Sequence, residues 1–307
     1  MRLSMLSAGL APACALFLAA CASPSPVATR SDAAVVPAQA AVAQPSPADA
    51  WMSDVSAIAA ATDNAGRRAA IENALAASGI QARQAPFAFE KHKGTNLLAD
   101  IGGPADAPLL LIGAHSDKVK EGDGATDNAS GSAVVLALAQ RLKQRPLQHH
   151  RVAVAFWDLE ELGLIGARAY IADGGAKPAM YVNFDVFGWG DALWMMTPDE
   201  SNALVSASRE ATQAAGIELS AGDKYPPTDH LAFHKAGWPA VSYSLVGKNE
   251  IPSILKAFSH QKVDPPAKVM QVIHSDNDTL AQIDADEAAR GVAAVEDALR
   301  RWDAASR

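Results

Sequence analysis

Short apolar runs alternate with amphipathic stretches through the later two thirds of the chain. The apolar runs have the length of buried β-strands, whereas the stretches between them carry apolar residues at helical spacing. This alternation predicts a three-layer α/β/α fold, in which a mixed, mostly parallel central sheet is covered by helices on both faces. The predicted strands are 109–113, 152–157, 180–184, 193–196 and 240–245, and the predicted helices are 130–145, 162–172, 199–215 and about 284–302.

Other patterns precede this alternation. Residues 50–79 carry apolar positions at helical spacing, with a break at Asp63-Asn64, and predict two helices. Residues 81–100 contain short apolar runs on either side of a basic tip and predict a β-hairpin. An Ala- and Pro-rich stretch without periodicity lies before the first helix and predicts a flexible tether. We therefore expect a signal peptide at 1–20, the tether at 21–48 and one folded domain at 49–307.

The N-terminus resembles a bacterial lipoprotein signal peptide. Arg2 is followed by an apolar run, which ends in Leu18-Ala19-Ala20-Cys21. Those four residues are similar to a lipobox, whose cysteine becomes the lipidated first residue of the mature protein, so Cys21 is the predicted lipidation site. Ala22 rather than Asp follows it, which by resemblance to Gram-negative lipoproteins favours the outer membrane. The alternative is a plain secretory peptide that is cut near Cys21.

Charge and cysteine content narrow the possible partners. A formal net charge of −8 over 307 residues provides no basic surface for nucleic acid or anionic lipid. We therefore expect no nucleic-acid partner, and membrane association through the N-terminal lipid alone. The two cysteines, Cys14 and Cys21, lie in the signal peptide and at the lipidation position. The folded domain is thus expected to contain no disulfide and no thiolate ligand for zinc.

Histidine and acidic residues follow three consecutive predicted strands. They are His115 and Asp117 after the first, Asp158, Glu160 and Glu161 after the second and Asp185 after the third, with Asp127 and His274 in further loops. Singly, each has an ordinary explanation: a hydrogen-bonded loop histidine, a helix N-cap for Asp127, or a solvated strand end. Together they would meet at one edge of a parallel sheet, where ligands bind. Carboxylates crowded there repel one another unless a cation lies among them.

This set of side chains predicts two divalent cations. Carboxylate oxygens and imidazole nitrogens are suitable ligands for zinc. Two histidines and three acids exceed the three protein ligands of an ordinary catalytic zinc, whereas two ions about 3.5–4 Å apart can share a bridging carboxylate. The sequence contains no HExxH metalloprotease motif, no GxSxG nucleophile elbow and no GxxxxGK phosphate loop.

Several ordered blocks resemble a known family, the two-zinc aminopeptidases of the bacterial leucyl-aminopeptidase type, among the zinc exopeptidases of clan MH. The resemblance extends from about residue 94 to 282. The blocks are GAHSD (113–117), GATDNASG (124–131), WDLEELGLIGARAY (157–170), NFDVFG (183–188), TDHLAFHKAGWPA (228–240) and HSDNDT (274–279).

The resemblance implies a role for each residue of the set. It makes His115 and Asp185 ligands of one zinc, Glu161 and His274 ligands of the other, Asp127 the bridging carboxylate, Glu160 the general base, and Asp117 the residue that orients His115. Asp229 and His230 are further candidates for the substrate pocket. Their alternative role is the N-terminal cap of a helix over 230–236.

The resemblance implies an aminopeptidase that acts on peptides with a free N-terminus, through a water that two zinc ions activate and Glu160 deprotonates. One alternative is a glutaminyl cyclase, because cyclases of the same clan share the fold, although they typically keep a single zinc. Another is a lipid-anchored binding domain that has lost its metals. The chain retains His115 and Asp185, which a one-metal site would not both need, and this favours hydrolysis. The complete ligand set argues against the binding domain.

Overall fold

The computed structural model describes residues 45–306. The predicted signal peptide, Cys21 and nearly all of the predicted tether lie outside the described residues, so these assignments stay predictions. The first helix begins at Pro47, two residues ahead of the predicted start of the domain. Within 45–306, no helix is both long enough and apolar enough to cross a membrane.

The described chain alternates between strands and helices as the hydrophobic pattern predicts. The helices are α1 Pro47–Ala59, α2 Asn64–Ala77, α3 Gly131–Gln144, α4 Ile165–Ala172, α5 Ala203–Ala215, α6 His230–Lys235, α7 Ile251–Phe258, α8 Lys268–Val272 and α9 Ala285–Ala305. The strands are β1 Arg83–Phe89, β2 His92–Gly102, β3 Leu109–His115, β4 Arg151–Trp157, β5 Met180–Phe184, β6 Ala192–Met196, β7 Glu218–Gly222 and β8 Ala240–Val246. A kinked turn at Ala125–Ser130, in which Asp127 and Asn128 are not helical, and a 3₁₀ turn at Leu280–Gln282 complete the elements.

The strands form one mixed sheet in the order β1-β2-β4-β3-β5-β8-β6-β7. Its centre, β4-β3-β5-β8, is parallel. The predicted hairpin β1–β2 adds an antiparallel edge, and β8–β6 is also antiparallel. Strand β3 is buried along its whole length, as expected for a central parallel strand that is covered on both faces.

Helices cover both faces of the sheet. Alternate residues of β4 divide between two apolar clusters. Val152, Val154 and Phe156 belong to the cluster that includes residues of α1, α2, α3, α5 and α9, whereas Ala155 and Trp157 belong to the cluster that includes residues of α4 and α6. This division follows from the period of two along a strand. The structure therefore confirms the predicted three-layer α/β/α fold.

The predicted bounds differ from the structure at several places. The helix predicted at 162–172 begins at Ile165, because the preceding residues form a tight turn. The helix predicted at 199–215 begins at Ala203, where the Asn202 side chain caps the first turn by accepting a hydrogen bond from the Leu204 amide. Strand β7 and helices α7 and α8 were not predicted. Strand β7 is a half-buried edge strand, so its sequence lacks the continuous apolar run of the central strands.

Candidate metal centre

The side chains predicted to bind metal lie at the carboxyl-terminal edge of the parallel strands. His115 is the last residue of β3, Glu161 lies in the turn after β4, and Asp185 follows β5 directly. Strand β3 lies between β4 and β5 and is parallel to both, so these three ends are neighbours. Asp127 and His274 reach the same edge from loops, as their contacts with this group show.

His115 defines one half of the site. Its Nε2 atom lies 3.1 Å from Asp127 Oδ1 and 3.5 Å from Asp185 Oδ1. The histidine is almost fully buried, and 18% of the Asp185 side chain is exposed. Three ligand atoms of the types that zinc prefers therefore converge at this position.

His274 defines the other half. Its Nε2 atom lies 3.1 Å from Asp127 Oδ2 and 3.2 Å from Glu161 Oε2. The His274 side chain is 53% exposed, so this half faces solvent while the His115 half is enclosed. The two oxygens of Asp127 thus face different histidines, which is the arrangement that a carboxylate bridging two ions requires.

Asp127 is held by the backbone contacts of its turn. The carboxylate of Asp278 accepts hydrogen bonds from the Thr126 amide at 2.6 Å and from the Asp127 amide at 3.1 Å. The side chain of Asn128 donates to the carbonyl of Phe184, at the end of β5, and accepts from the Gly131 amide. These contacts connect the turn of Asp127 to the loop that follows His274 and to the strand that precedes Asp185.

The turn after β4 directs the side chains of the adjacent residues Glu160 and Glu161 to different parts of the site. Leu159 has a positive φ of 61°, and the amides of Gly163 and Leu164 both donate to the carbonyl of Glu160. Glu161 reaches His274, whereas the Glu160 carboxylate has no hydrogen-bond or ion-pair partner among residues 45–306. The side chain of Glu160 is thus available for a substrate or a water molecule.

The two other carboxylates near this turn organise its surroundings. Asp117 accepts hydrogen bonds from the amides of Glu160 at 3.0 Å and Glu161 at 3.2 Å, and its Oδ1 lies 3.4 Å from His115 Nδ1. Asp117 therefore holds the glutamate turn as well as lying beside the histidine that it was predicted to orient. Asp158 serves packing instead, since it accepts from the Thr95 amide and forms an ion pair with Arg68.

The electrostatics of the site are dominated by its excess of carboxylates. Hydrogen bonds to Asp127 and Glu161 raise the pKa of His274 to about 10. Burial alone would lower the pKa of His115, but the charge of Glu160 and the neighbouring aspartates raise it well above the usual value. Burial also raises the pKa of Glu160 well above its usual range. The histidines and carboxylates of this edge therefore shift one another's pKa values strongly, as closely spaced ionisable groups do.

The donor set fits zinc. His115, Asp127 and Glu161 offer ligand atoms that all lie within 4.8 Å of one another. Glu161 Oε1 and Asp185 Oδ1 are buried and have no hydrogen-bond partner within the described part of the chain. Buried carboxylate oxygens without a donor are costly, and a divalent cation with oxygen and nitrogen ligands would satisfy them.

Asp229 and His230 lie close to the site but have almost no exposed surface. Asp229 precedes helix α6, yet its carboxylate caps no amide of that helix. Burial raises the pKa of Asp229 well above its usual range and lowers the pKa of His230 to about 3. Their place in the substrate pocket stays a prediction, because neither side chain presents a surface to solvent in this structure.

Three residues that hold the site were missed in the sequence. Asp278 lies in the block HSDNDT, and Asn128 follows the bridging aspartate, so their positions beside proposed ligands were available signals. The third is Arg67 in helix α2, which is fully buried although it belongs to a polar stretch. No feature of the sequence distinguishes Arg67 from an ordinary surface arginine.

Comparison with known proteins gives the family. The family model described as Peptidase family M28 matches residues 96–298. The chain belongs to Peptidase family M28. The match includes the strands β3, β4 and β5 and all five proposed ligands. Helix α2, which contributes Arg67, lies outside it.

Individual M28 relatives and similar structures agree with this assignment. The leupeptin-inactivating enzyme 1 of Streptomyces exfoliatus is 36% identical over 233 residues, which are 67% of this chain and 52% of the relative. The crystal structure of BSAP, a zinc aminopeptidase from Bacillus subtilis, is 25% identical with a TM-score of 0.55, over 69% of this chain and 51% of that one. The chain therefore spans about half the length of these proteins.

A second kind of structure shares the fold. The glutaminyl cyclase of Porphyromonas gingivalis has a TM-score of 0.64 and 19% sequence identity, over 83% of this chain and 96% of that one. Identity at this level shows a common fold alone.

Proposed function

We propose that this chain is a zinc-dependent aminopeptidase that removes N-terminal residues from peptides. The observation that carries the proposal is the position of Asp127, whose two carboxylate oxygens each lie 3.1 Å from a different histidine. The family assignment supports a zinc peptidase, and the relatives named above include an aminopeptidase.

Two zinc ions would be held by residues of this edge. His115, Asp185 and Asp127 Oδ1 would bind one ion, and His274, Glu161 and Asp127 Oδ2 the other. When bound, the zinc ions would polarise the scissile carbonyl and lower the pKa of water. The enclosed first position and the open second position suggest that substrate approaches from the side of His274.

Glu160 is the proposed general base. Its carboxylate has no partner within residues 45–306, and Asp117 holds its backbone through the amide hydrogen bond at 3.0 Å. In this role Glu160 takes a proton from the attacking water and then gives it to the nitrogen of the leaving amine. Its raised pKa, which results from burial, fits a group that must both accept and release a proton.

The metal centre and the carboxylates around it also support a preference for a free N-terminus. A zinc ion or an acidic side chain can bind a free α-amino group, whereas an acetylated nitrogen is uncharged and a poor metal ligand. This would restrict the enzyme to chain ends. The proposed partners are accordingly peptides with a free amino group.

A substrate panel tests the proposed function. The purified protein is loaded with zinc and given an aminoacyl arylamide, its N-acetylated form, and a peptide with N-terminal glutamine. We expect release of the N-terminal residue from the unblocked substrates and no turnover of the acetylated one. Turnover of blocked substrates alone would refute the proposal. Ammonia release from the glutamine peptide, without cleavage, would identify a cyclase instead.

We also propose that Cys21 is lipidated and anchors the protein to the outer membrane of a Gram-negative cell. The support is the lipobox-like Leu18-Ala19-Ala20-Cys21 and the following Ala22. Replacement of Cys21 by Ser should move the protein from the membrane fraction to the soluble fraction. Normal processing and membrane retention of Cys21→Ser would show that the anchor lies elsewhere.

A further inference from the structure

Arg67 is a buried cation that contacts the site only through backbone carbonyls. It lies in the first turn of helix α2 and has no exposed surface. Within residues 45–306 no carboxylate lies at ion-pair distance from its guanidinium. Instead, Nε donates to Ser116 O at 2.6 Å, Nη1 to Asp123 O at 3.1 Å and Nη2 to Gly124 O at 3.2 Å.

These carbonyls belong to two segments that carry proposed zinc ligands. Ser116 lies directly after His115, and Asp123 and Gly124 lead into the turn that contains Asp127. The guanidinium is planar and its donors form a fixed fork, so its three bonds fix the spacing of the two segments more closely than a flexible ammonium group could. Arg67 therefore connects the residue that follows His115 to the residues that lead into the turn of Asp127.

The positive charge of Arg67 also lies near the acidic cluster. Burial lowers the pKa of Arg67 to about 10, against the attraction of Asp117, Asp127, Asp278 and Glu161, which raises it. The side chain is thus charged at neutral pH. Its hydrogen bonds to three carbonyls and the nearby acids together offset the cost of burying that charge.

Lys118 is a second basic side chain near the site, but its hydrogen bonds stay within one loop. Lys118 donates to the carbonyls of Val119 and Gly122, both in its own loop, and is only half-buried. It stabilises the conformation of one loop. Arg67 instead reaches from helix α2 to both ends of the loop 116–124, which joins His115 to the turn of Asp127; these ends are 49 and 56 to 57 residues away in sequence.

We propose that Arg67 is a positioning residue that sets the separation of His115 and Asp127 and thereby the geometry of the enclosed metal position. The expected effect of Arg67 on peptide cleavage rests on the proposed function, whereas its expected effect on metal binding does not. Because its hydrogen bonds are to the carbonyls of Ser116, Asp123 and Gly124, none of which is a proposed ligand, it acts through the backbone of the two segments.

The test compares Arg67→Met, Arg67→Lys and the control Arg68→Met in the full chain. Arg68 is the next residue of the same helix, and its ion pair is with Asp158, which is neither a proposed ligand nor the proposed base. Zinc affinity is measured by competition with a chelator, and the absorption spectrum of the cobalt-loaded protein reports the ligand geometry. Values of kcat and KM are measured on the aminoacyl arylamide.

We expect Arg67→Met to weaken zinc binding at the enclosed position, beside His115, by about 10- to 100-fold. It should also change the cobalt spectrum, as loss of a group that supports metal ligands does. Its kcat should fall while KM changes little, because the substrate contacts remain. Arg67→Lys should recover part of the affinity, since the ammonium keeps the charge but cannot reproduce the fork. Arg68→Met should match the wild type in zinc affinity and cobalt spectrum.

A folded Arg67→Met with wild-type zinc affinity and cobalt spectrum would overturn the inference. If Arg67→Met does not fold, Arg67→Lys decides: weaker zinc binding with an altered spectrum supports the role, and wild-type values overturn it. Weakened zinc binding in Arg67→Met, together with a wild-type protein that cleaves no unblocked substrate, would leave the inference standing and refute the proposed function.

Discussion

The two adjacent glutamates should respond in opposite ways to the same substitution. Glu160→Gln and Glu161→Gln each replace a carboxylate by an amide of nearly equal shape, so they differ only in position. The Glu160 carboxylate has no protein partner within 45–306, whereas Glu161 Oε2 lies 3.2 Å from His274 Nε2. We expect Glu160→Gln to lose turnover with zinc retained, and Glu161→Gln to lose zinc first.

The expected sizes follow from these contacts. Removal of a general base costs about 10²- to 10⁴-fold in kcat, or about 2.7 to 5.4 kcal/mol of transition-state stabilisation. Glu160 acts on the metal positions only through space, so its loss should change zinc affinity by no more than about tenfold. Glu161 offers a ligand oxygen, and its loss should weaken one zinc by at least about a hundredfold, since even supporting groups are worth about 10- to 100-fold.

The assay combines kcat on an aminoacyl arylamide with a zinc titration of each variant. The wild type should bind zinc more weakly beside His274 than beside His115, because the His274 side chain is 53% exposed while His115 is enclosed. Only this weaker class should be lost in Glu161→Gln. Loss of zinc in Glu160→Gln, with normal binding in Glu161→Gln, would mean that Glu160 is the ligand and Glu161 the base.

Three further substitutions test the residues that support the site and the fold. Asp278→Asn should lower zinc affinity by about tenfold or more, because an amide cannot accept from both the Thr126 and Asp127 amides as well as a carboxylate does; an unchanged zinc titration would contradict this. Asp117→Asn should lower kcat about tenfold or more by loosening the Glu160–Glu161 turn. A wild-type kcat would show that the turn keeps its conformation without these hydrogen bonds. Asp303→Asn should cost about 1–3 kcal/mol of unfolding free energy at pH 7 in denaturant titrations, because the carboxylate accepts hydrogen bonds from residues 148–150. Burial raises the pKa of Asp303, but these bonds leave it below its usual value, so the difference should shrink as the pH falls from about 4 through the lower pKa of the folded state, and a loss that persists below that pKa would refute the assignment.

The position of the site could be predicted because strand ends are visible in the sequence. An apolar run such as 152–157 shows where a buried strand stops, and parallel packing brings neighbouring strand ends to one edge. The roles of Glu160 and Glu161 could not be derived in the same way, because they depend on a turn. Leu159 adopts a positive φ, which the sequence gives no reason to expect of leucine.

The supporting residues were harder to predict because burial depends on tertiary packing. Arg67 lies in a helix whose polar residues mostly face outwards, and it is buried only because the loops after β3 fold against α2. Asp117 was assigned to His115 alone, since sequence distance does not show that the turn after β4 returns to it. Edge strand β7 was not predicted for a related reason, because half-buried strands lack a continuous run of apolar residues.

Anomalous diffraction from crystals of the zinc-loaded protein tests the central claim most directly. We expect two zinc peaks about 3.5–4 Å apart. One should lie between His115, Asp185 and Asp127 Oδ1, and the other between His274, Glu161 and Asp127 Oδ2. A single peak in fully loaded crystals, or two peaks that do not share Asp127, would contradict it.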